Sequence, residues 1–330
     1  MEVKQFFTKN VLYIVRKVKT MENNRRPVKT KKLRKGRLFL LIFLVLIISI
    51  TTYGIYQYQQ GLKIGSENNK IEPEEFVADV KHETVENFLI LGVDSRGEEK
   101  SRTDTMMLMS FNRDTNTIKL VSFMRDIYAE IPNHRSYKLN TAYYLGGVQL
   151  LKDTLNNMFD IPIHHYALID FKNFETLVDI IAPNGVEIDV EKDMSANIDV
   201  SLKKGLHRLN GKELLGYARF RMDAEGDFGR VARQQKVIEA LKDEIISVSA
   251  IKNIPKFVGA TQGYVTTDVT NKDQLEIMMK VITAGNLGVE KLTIPQEGTF
   301  TYKSYSHAGE VLQIDIEQNK QILHEFLNID

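Results

Sequence analysis

A chain of 330 residues has room for one large domain or two small ones. Its hydrophobic and charged fractions, 43% and 26%, are those of an ordinary globular protein, and a net charge of +1 excludes a polyanion binder acting through the charge of the whole chain. The absence of cysteine excludes a disulfide framework and any cysteine-ligated metal site.

The charge is distributed unevenly: thirteen Lys or Arg and two Glu precede Leu38, so the remainder is acidic. Near the start, Phe6, Phe7, Val11, Ile14 and Val15 can line one face of a short basic helix lying on a membrane. A tail without fixed structure is the plain alternative. Met21 heads a second ordinary start, and initiation at Met1 or at Met21 stays open. The run 25–37 is densely basic, and nucleic-acid binding is one use of such a run. The next stretch argues against that use, and no nucleic acid is expected as a partner. Residues 38–62 carry no charge, and a helix of about 20 apolar residues crosses a bilayer. Tyr53, Tyr56 and Tyr58 gather at its far end, as in an interfacial aromatic belt. The apolar run exceeds the ~7–15-residue core of a signal peptide and shows no small-x-small cleavage site. An uncleaved single-pass anchor is therefore expected over 38–60. Its basic tail, 1–37, belongs in the cytoplasm, and everything after Lys63 belongs outside. Residues 61–85 are polar and acidic and read as an extracytoplasmic linker, with one folded domain over 86–330.

That domain opens with three short apolar runs, 88–93, 106–111 and 118–124, which read as buried strands. The last two are joined by the turn sequence NRDTNT. Helical spacing follows over 141–159, where Val148, Leu151, Leu155 and Met158 share a face, and over 171–181. Strands are expected at 163–170, 185–190 and 291–295. Asn210 and Glu213 form a capping box, 227–249 is the longest soluble helix, and 273–284 and 316–327 complete the set. The alternation predicts an α/β fold: an α-β-α sandwich around a central mixed sheet, preceded by one transmembrane helix.

The charged residues gather where these strands end. The first run leads into Gly92-Val-Asp94-Ser-Arg96, the second is approached through Arg102-Thr-Asp104-Thr105, and the third ends in Arg125-Asp126. Strand ends are where open α/β sheets bind ligands. Asp94 and Asp104 suit Mg²⁺ or Mn²⁺ shared with phosphate oxygens. A turn residue and a cap are their plain alternatives. Arg96, Arg102 and Arg125 offer paired donors that match phosphate. A second cluster comprises Arg219 and Arg221 at alternate positions, then Asp223, Asp227, Gly229, Arg230, Arg233 and Gln234. With Asp227 as N-cap, Arg230 falls in a first helical turn, where a cation is disfavoured unless an anion accompanies it. Lys138 and Asn140 add a cation and an amide, or belong to a solvated loop. His164 and His165 are adjacent and read as structural.

Six pieces in order resemble the LytR-CpsA-Psr family of cell-envelope proteins. They are Gly92-Val-Asp94-Ser-Arg96, Arg102-Thr-Asp104-Thr105, Ser122-Phe-Met-Arg125-Asp126, Lys138-Leu-Asn140, Tyr217-Ala-Arg219-Phe-Arg221, and the run from Asp227 to Gln235. The similarity covers roughly 87–241. Met124 stands where the family usually has proline. The resemblance implies a phosphotransferase on the outer face of a Gram-positive membrane. Its donor is an undecaprenyl-diphosphate-linked anionic glycopolymer, such as wall teichoic acid or a capsule chain. Its acceptor is the C6 hydroxyl of peptidoglycan N-acetylmuramic acid. It implies Mg²⁺ at Asp94 and Asp104, and a diphosphate held by Arg96, Arg102, Arg125, Arg219, Arg221, Arg230 and Gln234; Lys138 is a further candidate for the diphosphate. The polyprenyl tail lies in an apolar tunnel between sheet and helices. Arg125, Asp227 and Arg102 are the candidates for catalysis; Asp227 either orients an arginine or takes the acceptor proton. A polyprenyl-diphosphate hydrolase and a non-catalytic lipid-binding regulator are the competing expectations. A transcriptional regulator is disfavoured, because no helix-turn-helix pattern accompanies the basic tail.

Overall fold

The computed structural model describes residues 35–66, 74–80, 84–94, 103–115, 117–284 and 288–329. The expected basic tail before Lys35 lies outside the described residues. The chain divides into two compact units, 1–51 and 52–330. Helix α1 (Lys35–Ser66) is, over Gly36–Ser66, long and apolar enough to cross a membrane, the one such helix among the described residues. Its large side chains from Leu38 to Ile50 stand exposed, which fits a single-pass membrane anchor.

Within the second unit, a six-stranded sheet takes the order β10-β3-β2-β1-β6-β9. Its strands are β1 (Val85–Val93), β2 (Thr103–Asn112), β3 (Thr117–Phe123), β6 (His165–Asp170), β9 (Val265–Thr267) and β10 (Val289–Ile294). β1 runs antiparallel to β2 and parallel to β6, and β3 runs antiparallel to β2 and parallel to β10, so the sheet is mixed. Two short strands, β4 (Tyr128–Ala129) and β5 (Tyr137–Lys138), pair beside it.

One face of the sheet, carrying Leu89, Leu91, Met106, Leu108 and Val121, packs on α2 (Asn140–Phe159) and α9 (Ile316–Leu327). The other face is covered by α3 (Phe171–Ile181), α4 (Gly211–Arg219), α5 (Gly226–Ile245) and α7 (Ile254–Tyr264). The hairpin of β7 (Val186–Val190) and β8 (Gly205–Leu209) closes a second core there, around Ile181, Ile188, Leu214 and Tyr217. A short α6 (Val248–Ile251), α8 (Asn271–Ala284) and a hairpin of β11 (Phe300–Tyr305) and β12 (Gly309–Ile314) complete the domain. The fold is the α-β-α sandwich expected. The Asn210–Glu213 capping box is present in both directions.

Four expectations change. Asp227 does not cap α5. Glu225 occupies that position without a side-chain capping bond, and Asp227 lies in the first turn with its carboxylate turned to arginines. The long helix ends at Ile245, and Ser247 caps α6 through the Ala250 N–H. Helix α2 breaks at Gly146–Gly147, where Gly147 has φ +65° and a Cβ would fall 2.2 Å from Glu74 Oε2. Glu74 accepts from the Val148 N–H at 2.6 Å and so caps the restarted helix.

Glu74 belongs to the stretch expected as a linker, and the docking of its described part is the fourth change. Residues 61–66 continue α1, and 74–80 dock on the domain. Gly61, Gly65, Gly259 and Gly263 let α1 and α7 touch backbone to backbone: a Cβ on Gly263 would fall 2.0 Å from the Gly65 carbonyl oxygen. Asp79 accepts from Lys152 Nζ at 2.6 Å, Asn156 Nδ2 at 3.0 Å and the Ile163 N–H at 2.7 Å. These bonds are made because Lys152 is buried and needs a counter-charge.

Two outcomes follow from these contacts. Gly263→Val overpacks the α1–α7 contact and lowers stability by about 1–3 kcal/mol, read as a fall in Tm of the full chain in detergent. Burial raises the Asp79 pKa, but the Ile163 N–H, Lys152 and Asn156 outweigh it and hold the carboxyl below its ordinary value. Its stabilising contribution is therefore present above about pH 3.9, the unfolded value, and is lost as pH falls through the lower folded value. Asp79→Asn strands Lys152 and costs about 3–5 kcal/mol near pH 7. The Tm gap from the parent narrows as the pH is taken below about 4.

Candidate active site

β1, β3, β6 and β10 end, and β2 begins, along one edge of the sheet, because β2 is antiparallel to its neighbours. The charged motifs sit on that edge. Asp94 follows β1, and Asp104 lies in β2 opposite it. Gly92 pairs with Thr105 but Val93 pairs with Thr103, so Asp104 is the extra residue of a β-bulge. A bulge re-aims the side chain it carries. Thr103 is fully buried and holds this one in place: its hydroxyl lies 2.9 Å from the Gly92 carbonyl oxygen and 2.7 Å from that of Thr105.

Arg125 leaves the end of β3 and ties the two halves of the site. Its Nη1 donates to Asp104 Oδ1 at 2.7 Å and its Nε to Asp227 Oδ2 at 3.0 Å. Asp126 Oδ2 lies 3.5 Å from the same Nε, and Asp126 Oδ1 accepts from Lys138 Nζ at 2.7 Å. Lys138 is thus one ion pair removed from Arg125. Arg230 Nη2 reaches Asp227 Oδ2 at 3.3 Å, and Arg221 Nη1 lies 3.9 Å from Asp227 Oδ1. Arg219 Nη2 is 3.4 Å from Asp94 Oδ2, and its guanidinium lies over the Phe171 ring, 5.1 Å from the centroid. Arg96 and Arg102 lie outside the described residues.

The electrostatics are those of a site charged in advance. For Asp104, burial raises the pKa, but the charge and hydrogen bond of Arg125, with Arg230 and Arg221 behind them, bring it below the ordinary value. For Arg125 burial works downward, and Asp104, Asp227 and Asp126 reverse it. Arg230 goes the other way. Burial and the neighbouring Arg125 lower its pKa more than Asp227 and Asp104 restore it. It is 5% exposed, and its Nε makes no hydrogen bond. A buried cation with an unused donor is stabilised by an anion.

Beside this edge, between the sheet and α3, α4 and α5, lies a half-open apolar cavity of about 100 Å³. Ile90, Met107, Ile169, Phe174, Leu215 and Val237 line it, and Arg219 and Gln234 border it. Gln235, one residue on, turns to the sheet instead and bonds Ser122, the Leu292 carbonyl and Thr293. Arg233 is structural: it is 2% exposed, bonds the Phe220 carbonyl oxygen at 2.9 Å and Glu191 at 2.7 Å, and pairs with Asp223. His164 and His165 are structural as expected, accepting from the Asn87 N–H and pairing with Asp268. Asn140 is buried at the start of α2, and its Oδ1 has no hydrogen-bond partner. Met124, where the family pattern has proline, donates its N–H to the Ile294 carbonyl oxygen at 2.9 Å.

Asp94 and Asp104 bring two carboxylates, oxygen donors of the hard kind that Mg²⁺ takes, to one edge of the sheet. Among the described residues no group of three or more His, Cys, Asp or Glu gathers to hold a metal by itself. Sequence reasoning placed Asp126 beside Arg125 at a strand end without its bond to Lys138, and missed the parts of Thr103 and Phe171, for which no local signal exists.

The model of the LytR_cpsA_psr family matches residues 51–325. The chain belongs to this family. It is 41% identical to "Regulatory protein MsrR" of Staphylococcus aureus (strain COL) over 282 residues, covering 85% of this chain and 86% of that one. It is 34% identical to the "Polyisoprenyl-teichoic acid--peptidoglycan teichoic acid transferase TagU" of Bacillus licheniformis over 262 residues, 76% of this chain and 84% of that one. Among solved structures, B. subtilis TagV superposes with a TM-score of 0.64 at 26% identity, covering 76% of this chain and 100% of TagV. The structure described as "TagT bound to LIIa-WTA" superposes with a TM-score of 0.62 at 27% identity, covering 78% of this chain and 97% of that one.

Two arginines one turn apart on α5 should behave oppositely on thermal unfolding. Arg233→Ala strips Asp223 and Glu191 of a buried partner and costs about 3 kcal/mol. Arg230→Ala removes a cation disfavoured by burial, while Asp227 keeps Arg125, so Tm holds level or rises.

Proposed function

We propose that this member of the family is an extracytoplasmic phosphotransferase. It moves an anionic glycopolymer of the wall teichoic acid or capsule kind from an undecaprenyl-diphosphate carrier to the C6 hydroxyl of N-acetylmuramic acid in peptidoglycan. The observation that carries the proposal is the meeting of two unlike surfaces. An apolar cavity borders Arg219 and Gln234, and the Arg125, Arg221 and Arg230 cluster shares the same sheet edge. A ligand that satisfies both has a long apolar chain and an anionic head, as a polyprenyl diphosphate does. The named activity of TagU and the named ligand of TagT support a teichoic acid as cargo. The basic run before the anchor supports a cytoplasmic tail and an outward-facing domain.

In this reading Arg125, Arg219, Arg221 and Arg230 neutralise the diphosphate, with Gln234 beside them. Arg96 and Arg102 join them from the flanking motif, and Lys138 holds Asp126 against Arg125. Asp94 and Asp104 would hold Mg²⁺ or Mn²⁺, which would supply further positive charge to the phosphate oxygens. The acceptor hydroxyl oxygen attacks phosphorus in line, a new P–O bond forms, and the bond to the oxygen of polyprenyl phosphate breaks. The hydroxyl proton passes to a carboxylate or to water, and polyprenyl phosphate leaves. Asp227 positions arginines: its carboxylate holds Arg125 and Arg230 and lies near Arg221. The arginines act where charge develops.

The test uses the full chain in detergent, a labelled polyprenyl-diphosphate glycan, uncrosslinked peptidoglycan and Mg²⁺. Label is expected to enter peptidoglycan, to stop on chelation, and to fall about 10²–10³-fold in Arg125→Ala. Free glycan phosphate in place of transfer overturns the ligase in favour of hydrolysis. Lipid binding with neither product leaves a regulator.

A further inference from the structure

The cavity and the arginines leave one feature unexplained, a row of aromatic rings running away from the site. Phe228, the neighbour of Asp227, stacks on Phe300 of the β11–β12 hairpin with centroids 5.4 Å apart and ring planes 23° apart. Phe300 in turn meets Tyr302 edge to face, at 5.6 Å and 82°. Phe228 and Phe300 are half-buried, whereas Tyr302 is 63% exposed. Single exposed aromatic residues are common and need no explanation. This one differs because its ring is held by Phe300, on a row that begins beside Asp227.

The hairpin is anchored to the site. The Leu312 N–H donates to the Asp126 carbonyl oxygen at 2.9 Å, one residue past Arg125. Its other side is braced by Tyr305 stacked on Tyr128 at 4.5 Å, with His307 bonded to the Ser136 carbonyl oxygen at 3.1 Å. The platform is therefore fixed before any ligand arrives, which limits the ordering cost of binding.

Its side of the sheet decides what it binds. Phe228 and Phe300 pack on the core shared with α2 and α9. The apolar cavity lies on the opposite face, under α3, α4 and α5. In an in-line displacement the attacking and leaving groups occupy opposite sides of phosphorus. On the proposed transfer, on which this inference rests, the leaving group is the lipid phosphate whose chain enters from the cavity side. The attacking hydroxyl then arrives from the hairpin side. We propose that Phe228, Phe300 and Tyr302 form the acceptor subsite, on which a pyranose ring of the peptidoglycan glycan strand stacks its C–H face. The electron-rich face of an aromatic ring suits the weakly positive C–H bonds of a sugar, and the phenol edge remains wet.

The chain has no tryptophan. Tyr302→Trp thus gives a single-tryptophan protein whose fluorescence reports the subsite without any turnover, and exposure of Tyr302 makes the change harmless to folding. The probes are a muramidase-released N-acetylglucosamine–N-acetylmuramic acid tetrasaccharide and, as a soluble diphosphate sugar standing for the donor, UDP-N-acetylglucosamine. The tetrasaccharide should shift the emission saturably, with or without Arg230→Ala, and the nucleotide sugar should not. A shift with the nucleotide sugar alone overturns the acceptor assignment and gives the rings to the donor; no shift with either overturns the subsite. In the transfer assay Tyr302→Ala should raise KM for peptidoglycan about tenfold and leave KM for the donor unchanged, while Tyr302→Phe behaves as the parent. An equal loss in Tyr302→Phe overturns stacking. A wild-type chain that transfers nothing, yet shows the tetrasaccharide shift, sinks the transfer reading and leaves the glycan site standing.

Discussion

The Asp227 carboxylate is the point on which the site depends. It brings together Arg125 from the end of β3, Arg230 from α5 and Arg221 from the segment after α4. Two unit charges 4 Å apart at an effective dielectric constant near 20 interact by about 4 kcal/mol. Guanidinium groups gathered at such range repel one another and separate unless an anion lies among them. Asp227 is that anion on one side and Asp104 on the other, and Arg125 spans both. The balance is incomplete by design of the fold: Arg230 is buried, its pKa is lowered, and its Nε is unused. The site is built and electrically unsatisfied, which is the condition for preferring a multiply charged anion to water.

Everything else in the domain serves that edge of the sheet. The antiparallel β1–β2 pairing brings the end of one strand beside the start of the next, and the bulge at Asp104, held by Thr103, turns a second carboxylate to the edge. Gln234 and Gln235 divide the work of α5 between them, the first beside the cavity and the second fastened to β3 and β10. The stretch 74–80 adds rigidity from outside. Glu74 restarts α2 at the Gly147 break and Asp79 neutralises Lys152, so residues 74–80 are built into the domain.

The sheet also keeps two kinds of surface apart. Under α3, α4 and α5 the lining is largely apolar and suits a lipid. On the other face, aromatic rings reach from Asp227 to the hairpin surface. The proposed transfer, from a membrane lipid to a polymer, would use both surfaces, one on either side of the phosphorus.

Much of this was legible in the residues themselves. The uncharged run 38–62 is legible because twenty-odd apolar residues have few uses other than a bilayer. Helices 171–181 and 316–327 were read to the residue, because caps and apolar spacing are local properties. The order of the charged motifs sufficed to place the chain in its family. What local sequence does not hold is partnership. Nothing near Asp227 distinguishes a helix cap from a carboxylate shared with Arg125, a hundred residues away in the chain. Arg230 and Arg233 are the same residue type on the same helix, and only the positions of Asp223, Glu191 and Phe220 make one of them structural. The polar stretch 74–80 resembles a linker until Lys152 and the Gly147 break are beside it. The sequence by itself determined which groups are available and which segments are apolar, since both follow from neighbouring residues. Tertiary structure alone decided which charges meet, which stay unsatisfied and which face of the sheet each surface occupies, because those depend on strand register and long-range packing.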